Sequence, residues 1–415
     1  NRDRPVTDFS SQIDLLREIT AGAVTHKLTL GTWFARAEAE DNSLTQTYLA
    51  EFANAPRLVN LVAGGVNYTR NGLVDPSVGY TQNTQSARRT AVYLADQMEM
   101  ERWAFDIGVR VENMKGNISR ERTATFNGIS QGGAVEGAAL TSAVYGTGAY
   151  QTGEVDRTEY AASAGGLYRL SDVLNLYANY SRGFFFPEIR GVGFSPLGQP
   201  ASYEGEIINQ AELGTKYASG RLTMTAAAFW SNLDNRRSVQ FINTGGGGVA
   251  EVVTELSTKA TGLEATSSFR VTDAISFDAN VTYTDHEISK AANASLVGNE
   301  LERKPNLFVN AGVSYDDERF DAALFWNHQG DAFANNSNTV VLPSYELVRL
   351  NLGYTLTMAN EQPLRIGLAV FNLFDSEGLA EGSPRVGNNQ TAGGQFFVGR
   401  PILPRRYTLT ATYRF

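Results

Sequence analysis

The last ten residues of the chain, 406–415, alternate strictly between two kinds of side chain. Four apolar or aromatic positions lead to the final phenylalanine, and arginine or threonine fills every position between them. This period of two is the pattern of a β-strand with one apolar and one polar face. Segment 405–415 is therefore predicted to be a strand that ends the chain on the aromatic Phe415.

The same alternation recurs along the whole chain, for example at 274–286 and 344–357. Many of these runs exceed the five or six residues usual in soluble sheets. They match the length of a tilted strand that crosses a hydrocarbon layer. About fifteen strands are predicted: 8–18, 24–40, 90–98, 102–113, 158–169, 173–184, 203–217, 221–237, 252–269, 274–286, 303–315, 318–328, 344–357, 362–374 and 405–415.

The predicted connections alternate between short and long. Short links lie at 170–172, 218–220, 316–317 and 358–361. Short turns on one rim and long loops on the other are typical of an outer-membrane β-barrel, where the long loops are extracellular. The long loops are predicted at 41–89, 114–157, 185–202, 238–251, 287–302, 329–343 and 375–404.

The first long loop, 41–89, is predicted to contain a short surface helix. The helix would span Leu44 to Val62, beginning after Asn42 and Ser43 and interrupted at Pro56. A polar pair before a mixed segment is a helix-start signal.

Composition supports a β-protein at a cell surface and excludes several functions. The chain has 35 basic and 44 acidic residues, a net charge of −9, which argues against a nucleic-acid partner. It contains 40 glycines and is 11% aromatic, with 22 Phe, 18 Tyr and 4 Trp. It has no cysteine, and no apolar run is long enough for a transmembrane helix. Because the chain starts at Asn1 without a signal peptide, it is expected to be a processed or truncated form.

The odd number of strands conflicts with a closed single-chain barrel, because bacterial barrels of that kind have even numbers. Two unpaired sheet edges would leave backbone groups unsatisfied in lipid. Either the chain is part of a larger barrel or the count is wrong by one. In a barrel of about 22 strands, about seven would be missing and the first strand here would be the eighth. If the long loops lie outside, strand 8–18 must run toward the short-turn rim, and an even-numbered strand has this direction.

Five short motifs resemble those of TonB-dependent outer-membrane receptors. They occur in the family's order and with suitable spacing to the carboxyl terminus, and the match is firmest over about 90–415. The motifs are 176–184 (LYANYSRGF) followed by Pro187-Glu188, 211–217 (AELGTKY), 302–305 (ERKP), 371–375 (FNLFD) and 404–407 (PRRY).

The resemblance implies an all-β, antiparallel transmembrane barrel with short periplasmic turns and long extracellular loops. Residues 1–415 would form a partial barrel, because the family's amino-terminal plug and its TonB-binding motif are not recognised in this sequence. The implied location is the bacterial outer membrane. The implied partners are TonB, through the missing part, outer-membrane lipid and lipopolysaccharide, and a small nutrient such as a ferric chelate.

The histidines His26, His286 and His328 are interpreted as ordinary strand or surface residues. Haem receptors of the family place a histidine near a motif at the position of 184–187. No histidine occurs between Phe184 and Tyr203, so haem uptake is disfavoured.

Three other features could suggest a functional site. The carboxylates Glu38, Glu40 and Asp41 and the run 316–318 are interpreted as solvated strand ends and turns rather than a cation site. The run 245–248 is a loop tip, because no helix follows it to bind phosphate. No catalytic motif, metal spacing or cofactor site is predicted, and the chain is not expected to be an enzyme.

The polar face of the strands is expected to line the lumen, hydrating it or holding the plug. Ligand contacts are expected from loops 185–202 and 375–404, although the binding residues themselves stay unassigned. Tyr283, Trp230 and Tyr413 are expected in interfacial aromatic girdles, with a sugar-binding platform as the alternative. The inward-facing residues are predicted to be Asn175, Asn179, Asn280, Asn310, Arg349, Asn351 and Arg414.

The sequence thus predicts the barrel portion of a receptor that binds a scarce nutrient and imports it with energy from TonB. A passive porin or structural surface barrel is one alternative. A soluble all-β binding protein or enzyme is the other.

Overall fold

One continuous antiparallel sheet dominates the computed structural model, which describes residues 2–50, 68–69, 72–130, 139–186, 204–245, 248–358, 362–383 and 398–413. The sheet has 17 strands, of which Arg2–Asp3 and Tyr68–Thr69 are only two residues long. The other fifteen correspond one to one with the predicted strands. They are β1 Val6–Ala21, β2 Val24–Ala50, β3 Gly72–Glu99, β4 Trp103–Ser130, β5 Ala139–Arg169, β6 Leu174–Phe185, β7 Glu206–Ser219, β8 Leu222–Gly245, β9 Gly248–Arg270, β10 Ile275–Ala291, β11 Leu307–Asp316, β12 Phe320–Gln329, β13 Tyr345–Thr357, β14 Pro363–Phe371 and β15 Arg406–Tyr413.

The fifteen strands form a simple meander in which each pairs with its neighbours in the chain. Among the described residues, no pairing joins β1 to β15. Every residue of β1 is solvent-exposed, and so is every residue of β15. The sheet therefore has two open edges.

One face of the sheet is apolar and has nothing packed against it. On a central rung, Leu213 of β7 lies opposite Ala228, which lies opposite Leu263, which lies opposite Tyr283. Leu213 is 65% exposed and Leu263 61%. Soluble proteins rarely expose contiguous apolar patches of this extent, so the apolar face requires a lipid environment. The soluble all-β alternative is inconsistent with this surface.

Within the part of the chain that the structure describes, buried apolar side chains form a small cluster at the long-loop end of β9 and β10. The cluster consists of Leu256, Ile288, Leu296 and Leu301. It packs the short 3₁₀ turn Ala294–Leu296 against the strands. Two short hairpins, Ala332–Phe333 with Val341–Leu342 and Leu379–Ser383 with Val398–Pro401, lie at the same rim. Over the described ranges, no helix is long and apolar enough to cross a membrane.

The opposite rim carries the short turns. Between β11 and β12, the Asp317 carboxylate accepts hydrogen bonds from the backbone N–H groups of Phe320 at 2.8 Å and Arg319 at 3.2 Å. The Phe320 N–H, followed by the Tyr315 hydroxyl, lowers the pKa of Asp317 below its ordinary value. Glu318 sits in the left-handed region at φ 76°. The acidic run 316–318 is thus part of a tight turn, in agreement with its interpretation from the sequence as a solvated turn.

Three predicted loops prove to be largely strand. β2 continues to Ala50 and pairs with the start of β3, so loop 41–89 is shorter than predicted. The helix predicted from Leu44 is wrong over 44–50, and 51–67 lies outside the described residues. Loops 114–157 and 238–251 shrink in the same way, because β4 and β5 and then β8 and β9 extend as hairpins. Cross-strand hydrogen bonds satisfy the backbone there, although the side-chain pattern is no longer two-faced.

Candidate functional site

The face opposite the apolar one is polar and is crossed by ladders of hydrogen bonds. Asn280, Asn310 and Asn327 lie side by side on three adjacent strands. The Asn310 amide donates to the Asn280 Oδ1 atom at 2.7 Å, and the Asn327 amide donates to Asn310. Adjacent amides of this kind suit a hydrated wall, because each can satisfy its neighbour and still bond to water.

The register places the predicted inward-facing residues on this polar face. Asn175 lies opposite Lys216, and Asn179 opposite Glu212. Arg349 lies opposite Phe325, and Asn351 opposite Ala323. Arg414 lies outside the described residues.

The tightest polar assembly is the Glu112 cluster, formed by Glu112, Arg89, Arg110, Trp33 and Phe186. The Glu112 side chain is only 2% exposed. Its Oε1 atom accepts from Arg89 Nε at 2.5 Å, and its Oε2 atom accepts from Arg110 Nη2 at 2.6 Å and Nε at 2.9 Å. A carboxylate this buried is tolerated because two guanidinium groups pair with it.

Aromatic rings hold both arginines of the cluster. Their guanidinium carbons lie 5.2 Å (Arg89) and 5.1 Å (Arg110) from the Trp33 ring centroid. Arg89 also lies 5.3 Å from the Phe186 ring. These are cation–π distances. The Arg89 and Arg110 side chains nevertheless stay 42% and 31% exposed, so the cluster presents positive charge to the polar face.

Tyr93 continues the cluster toward β1. Arg110 lies 5.6 Å from its ring, and its hydroxyl donates to Asp14. The ring lies over Gly31 on the neighbouring strand, and a Cβ atom at Gly31 would collide with it. Glycine is therefore required at this position for close approach.

A second assembly lies farther along the polar face. The Tyr177 hydroxyl donates to Glu212, and the Lys216 ammonium lies 5.1 Å from the Tyr177 ring. Gly214 lies opposite Tyr177 and gives its ring room, since a Cβ there would overlap it.

The three histidines lie on different strands, and each has local partners. Nδ1 of the buried His286 accepts from the Leu301 N–H at 3.2 Å, and Nε2 donates to the Lys304 carbonyl at 2.8 Å. His26 pairs with Asp96 at 2.8 Å, and His328 lies 3.4 Å from Glu346. His286 thereby holds the loop before β11 against β10.

The other candidate positions are local surface features. Glu38 pairs with Arg36, and Glu40 accepts from Asn42 at 3.2 Å. The Asp41 side chain lies outside the described residues. No group of three or more potential metal ligands occurs within the described ranges. Gly245 pairs with Gly248 across a hairpin end.

The predicted girdle aromatics lie on the apolar face. Trp230 is 39% exposed and Tyr283 50%. Tyr180, 46% exposed, belongs to the same rung as Trp230. Tyr413 is 42% exposed at the end of β15. Of the predicted ligand loops, 187–202 and 384–397 lie outside the described residues.

Sequence reasoning missed the Glu112 cluster, although its signal was present. Arg110 and Glu112 occupy alternate positions of β4, on the side opposite Val109 and Val111. Charged residues at consecutive polar positions in a membrane strand mark the lumenal side. Their partners on β2 and β3 depend on register, which the sequence leaves open.

The long antiparallel meander, the exposed apolar face and the polar face with buried charge define the wall of a transmembrane β-barrel. The chain belongs to the TonB-dependent receptor family: its model, described as "TonB dependent receptor-like, beta-barrel", matches residues 3–373. This family places the chain in the outer membrane of Gram-negative bacteria.

Two curated relatives are similar at the sequence level. The chain is 24% identical over 312 residues to the ferrioxamine B receptor of Salmonella typhimurium, covering 72% of this chain and 38% of that protein. It is 24% identical over 386 residues to the metal-pseudopaline receptor CntO of Pseudomonas aeruginosa, covering 90% of this chain and 48% of that protein. The chain therefore spans less than half the length of these relatives.

Solved structures show the same fold. The siderophore receptor PiuA from Acinetobacter baumannii superposes with a TM-score of 0.69 at 15% identity, over 99% of this chain and 56% of that one. The ferric citrate transporter FecA, in its unliganded form, superposes with a TM-score of 0.68 at 20% identity, over 100% of this chain and 55% of that one.

Proposed function

We propose that this chain is most of the barrel of a receptor that imports a metal chelate across the outer membrane with energy from TonB. The observation that carries the proposal is the barrel wall that the family model matches. Its polar face carries charged side chains that pack against aromatic rings. The relatives are named as receptors for a ferrioxamine and for a metal-pseudopaline complex. Nothing in the family match favours the passive porin.

The architecture of the whole protein is part of the proposal. The open edges of β1 and β15 pair with further strands, because unpaired backbone groups are not tolerated in lipid. In a barrel of about 22 strands, this chain supplies fifteen. A plug fills the lumen, and TonB engages the receptor through the portion outside residues 1–415.

The two faces have different partners in this proposal. The apolar face contacts outer-membrane lipid and lipopolysaccharide. The polar face contacts the plug and the passing chelate, with ligand recognition from loops 185–202 and 375–404. The barrel binds and conducts but performs no covalent chemistry.

An uptake assay tests this function. A strain lacking the gene is complemented with the full-length receptor in TonB-positive and TonB-negative backgrounds, and growth is scored on ferric chelates, cobalamin and oligosaccharides. We expect complementation to restore uptake of one metal chelate only when TonB is present. Uptake that is independent of TonB, or no defect on any nutrient, would refute the proposal.

A further inference from the structure

Two arginines flank one phenylalanine on the polar face near the long-loop rim. Phe371 ends β14 and lies opposite Arg406, the first residue of β15. The Arg406 guanidinium carbon lies 5.2 Å from the Phe371 ring centroid, and that of Arg349 on β13 lies 4.7 Å from it. Both arginines are exposed, while Phe371 is half-buried. The ring therefore holds two cations close together.

The base of the last loop fixes this arrangement. The buried Asn372 side chain donates to the Ser376 carbonyl at 2.9 Å and the Leu403 carbonyl at 3.1 Å, joining the two sides of the loop. The Leu373 N–H donates to the Val348 carbonyl at 2.8 Å, next to Arg349. The arginines are thus carried on a braced backbone and not on a free loop.

Neither arginine has a carboxylate partner among the described residues. The hydrogen bond that Arg349 makes within the described ranges runs from its Nε to the Asn351 Oδ1 atom, at 3.1 Å. The nearby Asp375 accepts from the Arg405 N–H at 2.7 Å. The next acid on the same rung, Asp278, is three strands away from Arg349, about 14 Å at the usual strand spacing.

Beyond Asp375, the last loop carries two further acids, Glu377 and Glu381, and both precede Ser383. Between Ser383 and Val398 the sequence contains Arg385 and neither aspartate nor glutamate. The contrast with the Glu112 cluster is clear, because a buried carboxylate there pairs with both arginines.

We infer that Arg349, Phe371 and Arg406 form an anion-binding subsite at the long-loop end of the lumen, which selects metal chelates carrying negative charge. The inference rests on the proposed function and names its substrate class. Guanidinium groups stacked on an aromatic ring keep their N–H edges available for bidentate bonds to carboxylate or catecholate oxygens. Positive charge at the mouth also raises the local concentration of an anionic ligand.

Binding of two chelates of different charge tests the subsite in the full-length receptor. The probes are an anionic ferric tricatecholate and an uncharged ferric trihydroxamate, measured on outer membranes at low and high salt. The variants are the Arg349→Gln/Arg406→Gln double substitution and its Lys counterpart. The control is Arg319→Gln, which removes a cation from the opposite rim.

The Gln double variant is expected to weaken tricatecholate binding by about tenfold or more, the loss of roughly one charge-assisted contact, and to flatten its salt dependence. The Lys variant recovers part of this loss, because charge remains but the bidentate geometry does not. Arg319→Gln and wild type should match. Equal weakening of both chelates, or no weakening, would overturn the subsite.

The two proposals fail differently. If the wild-type receptor takes up the trihydroxamate in a TonB-dependent manner but does not bind the tricatecholate, the function stands and the anion subsite falls. If it takes up neither probe, and the nutrient assay shows no TonB-dependent chelate, both fall.

Discussion

Replacing Glu112 with alanine in the full-length receptor is expected to lower the free energy of unfolding by about 3 kcal/mol, the lower end for a broken buried ion pair. The substitution removes three hydrogen bonds and leaves Arg89 and Arg110 facing each other without a counter-charge. The loss stays at the lower end because both arginines keep partial access to water. Denaturant unfolding in detergent measures it.

A matched glutamate provides the control. Glu99 pairs with Lys27 at 3.0 Å, and both side chains are about half exposed. Glu99→Ala should cost less than about 1 kcal/mol, as exposed pairs do. Glu112→Gln should fall between the two, because an amide oxygen still accepts from one arginine. Equal effects at Glu112 and Glu99 would show that burial of Glu112 does not matter.

An arginine on the apolar face is expected to destabilise the receptor about as much as the loss of the Glu112 carboxylate. Leu213→Arg should destabilise the folded receptor by about 2–4 kcal/mol if this rung lies near the bilayer midplane. The leucine is 65% exposed on a rung of apolar neighbours, so the new charge would face hydrocarbon. Refolding into bilayers of defined composition measures the change.

Thr282→Arg is the control for charge without lipid contact. Thr282 lies on the polar face one position along from Tyr283, and opposite Glu264, which can pair with the new arginine. We expect a change below about 1 kcal/mol, in line with lumenal substitutions. A larger cost at Thr282 than at Leu213 would reverse the assignment of the two faces.

The strands were predictable because lipid and water impose opposite demands on alternate residues. In β7, Ala211, Leu213 and Thr215 face one way, while Glu212 and Lys216 face the other. In a strand with one face in hydrocarbon, polar residues are costly on that face, and the alternation is therefore maintained. For this reason the sequence alone predicts fifteen strands and the correct polar face.

The extensions of β2 and β3 were not predictable for the complementary reason. Beyond the apolar rungs no lipid selects a face, and segment 44–50 is held as strand by pairing with 72–80. The Glu112 cluster depends on register as well. Glu112 meets Arg89 across 23 residues of sequence, and Tyr93 meets Asp14 across 79. Single-strand periodicity contains no information on such partners.

The central claim is that one face of this sheet contacts lipid and the other does not. The chain has no cysteine, so nitroxide labels can be attached at single cysteines introduced in the full-length receptor at each position from Ala211 to Lys216 except Gly214, where a Cβ atom would overlap the Tyr177 ring. The collision rate of each label with oxygen, which concentrates in hydrocarbon, then shows whether that position faces lipid. We predict a period of two, with high rates at Ala211, Leu213 and Thr215 and low rates at Glu212 and Lys216. Uniform rates, or access of a water-soluble nickel chelate to Leu213, would contradict the account.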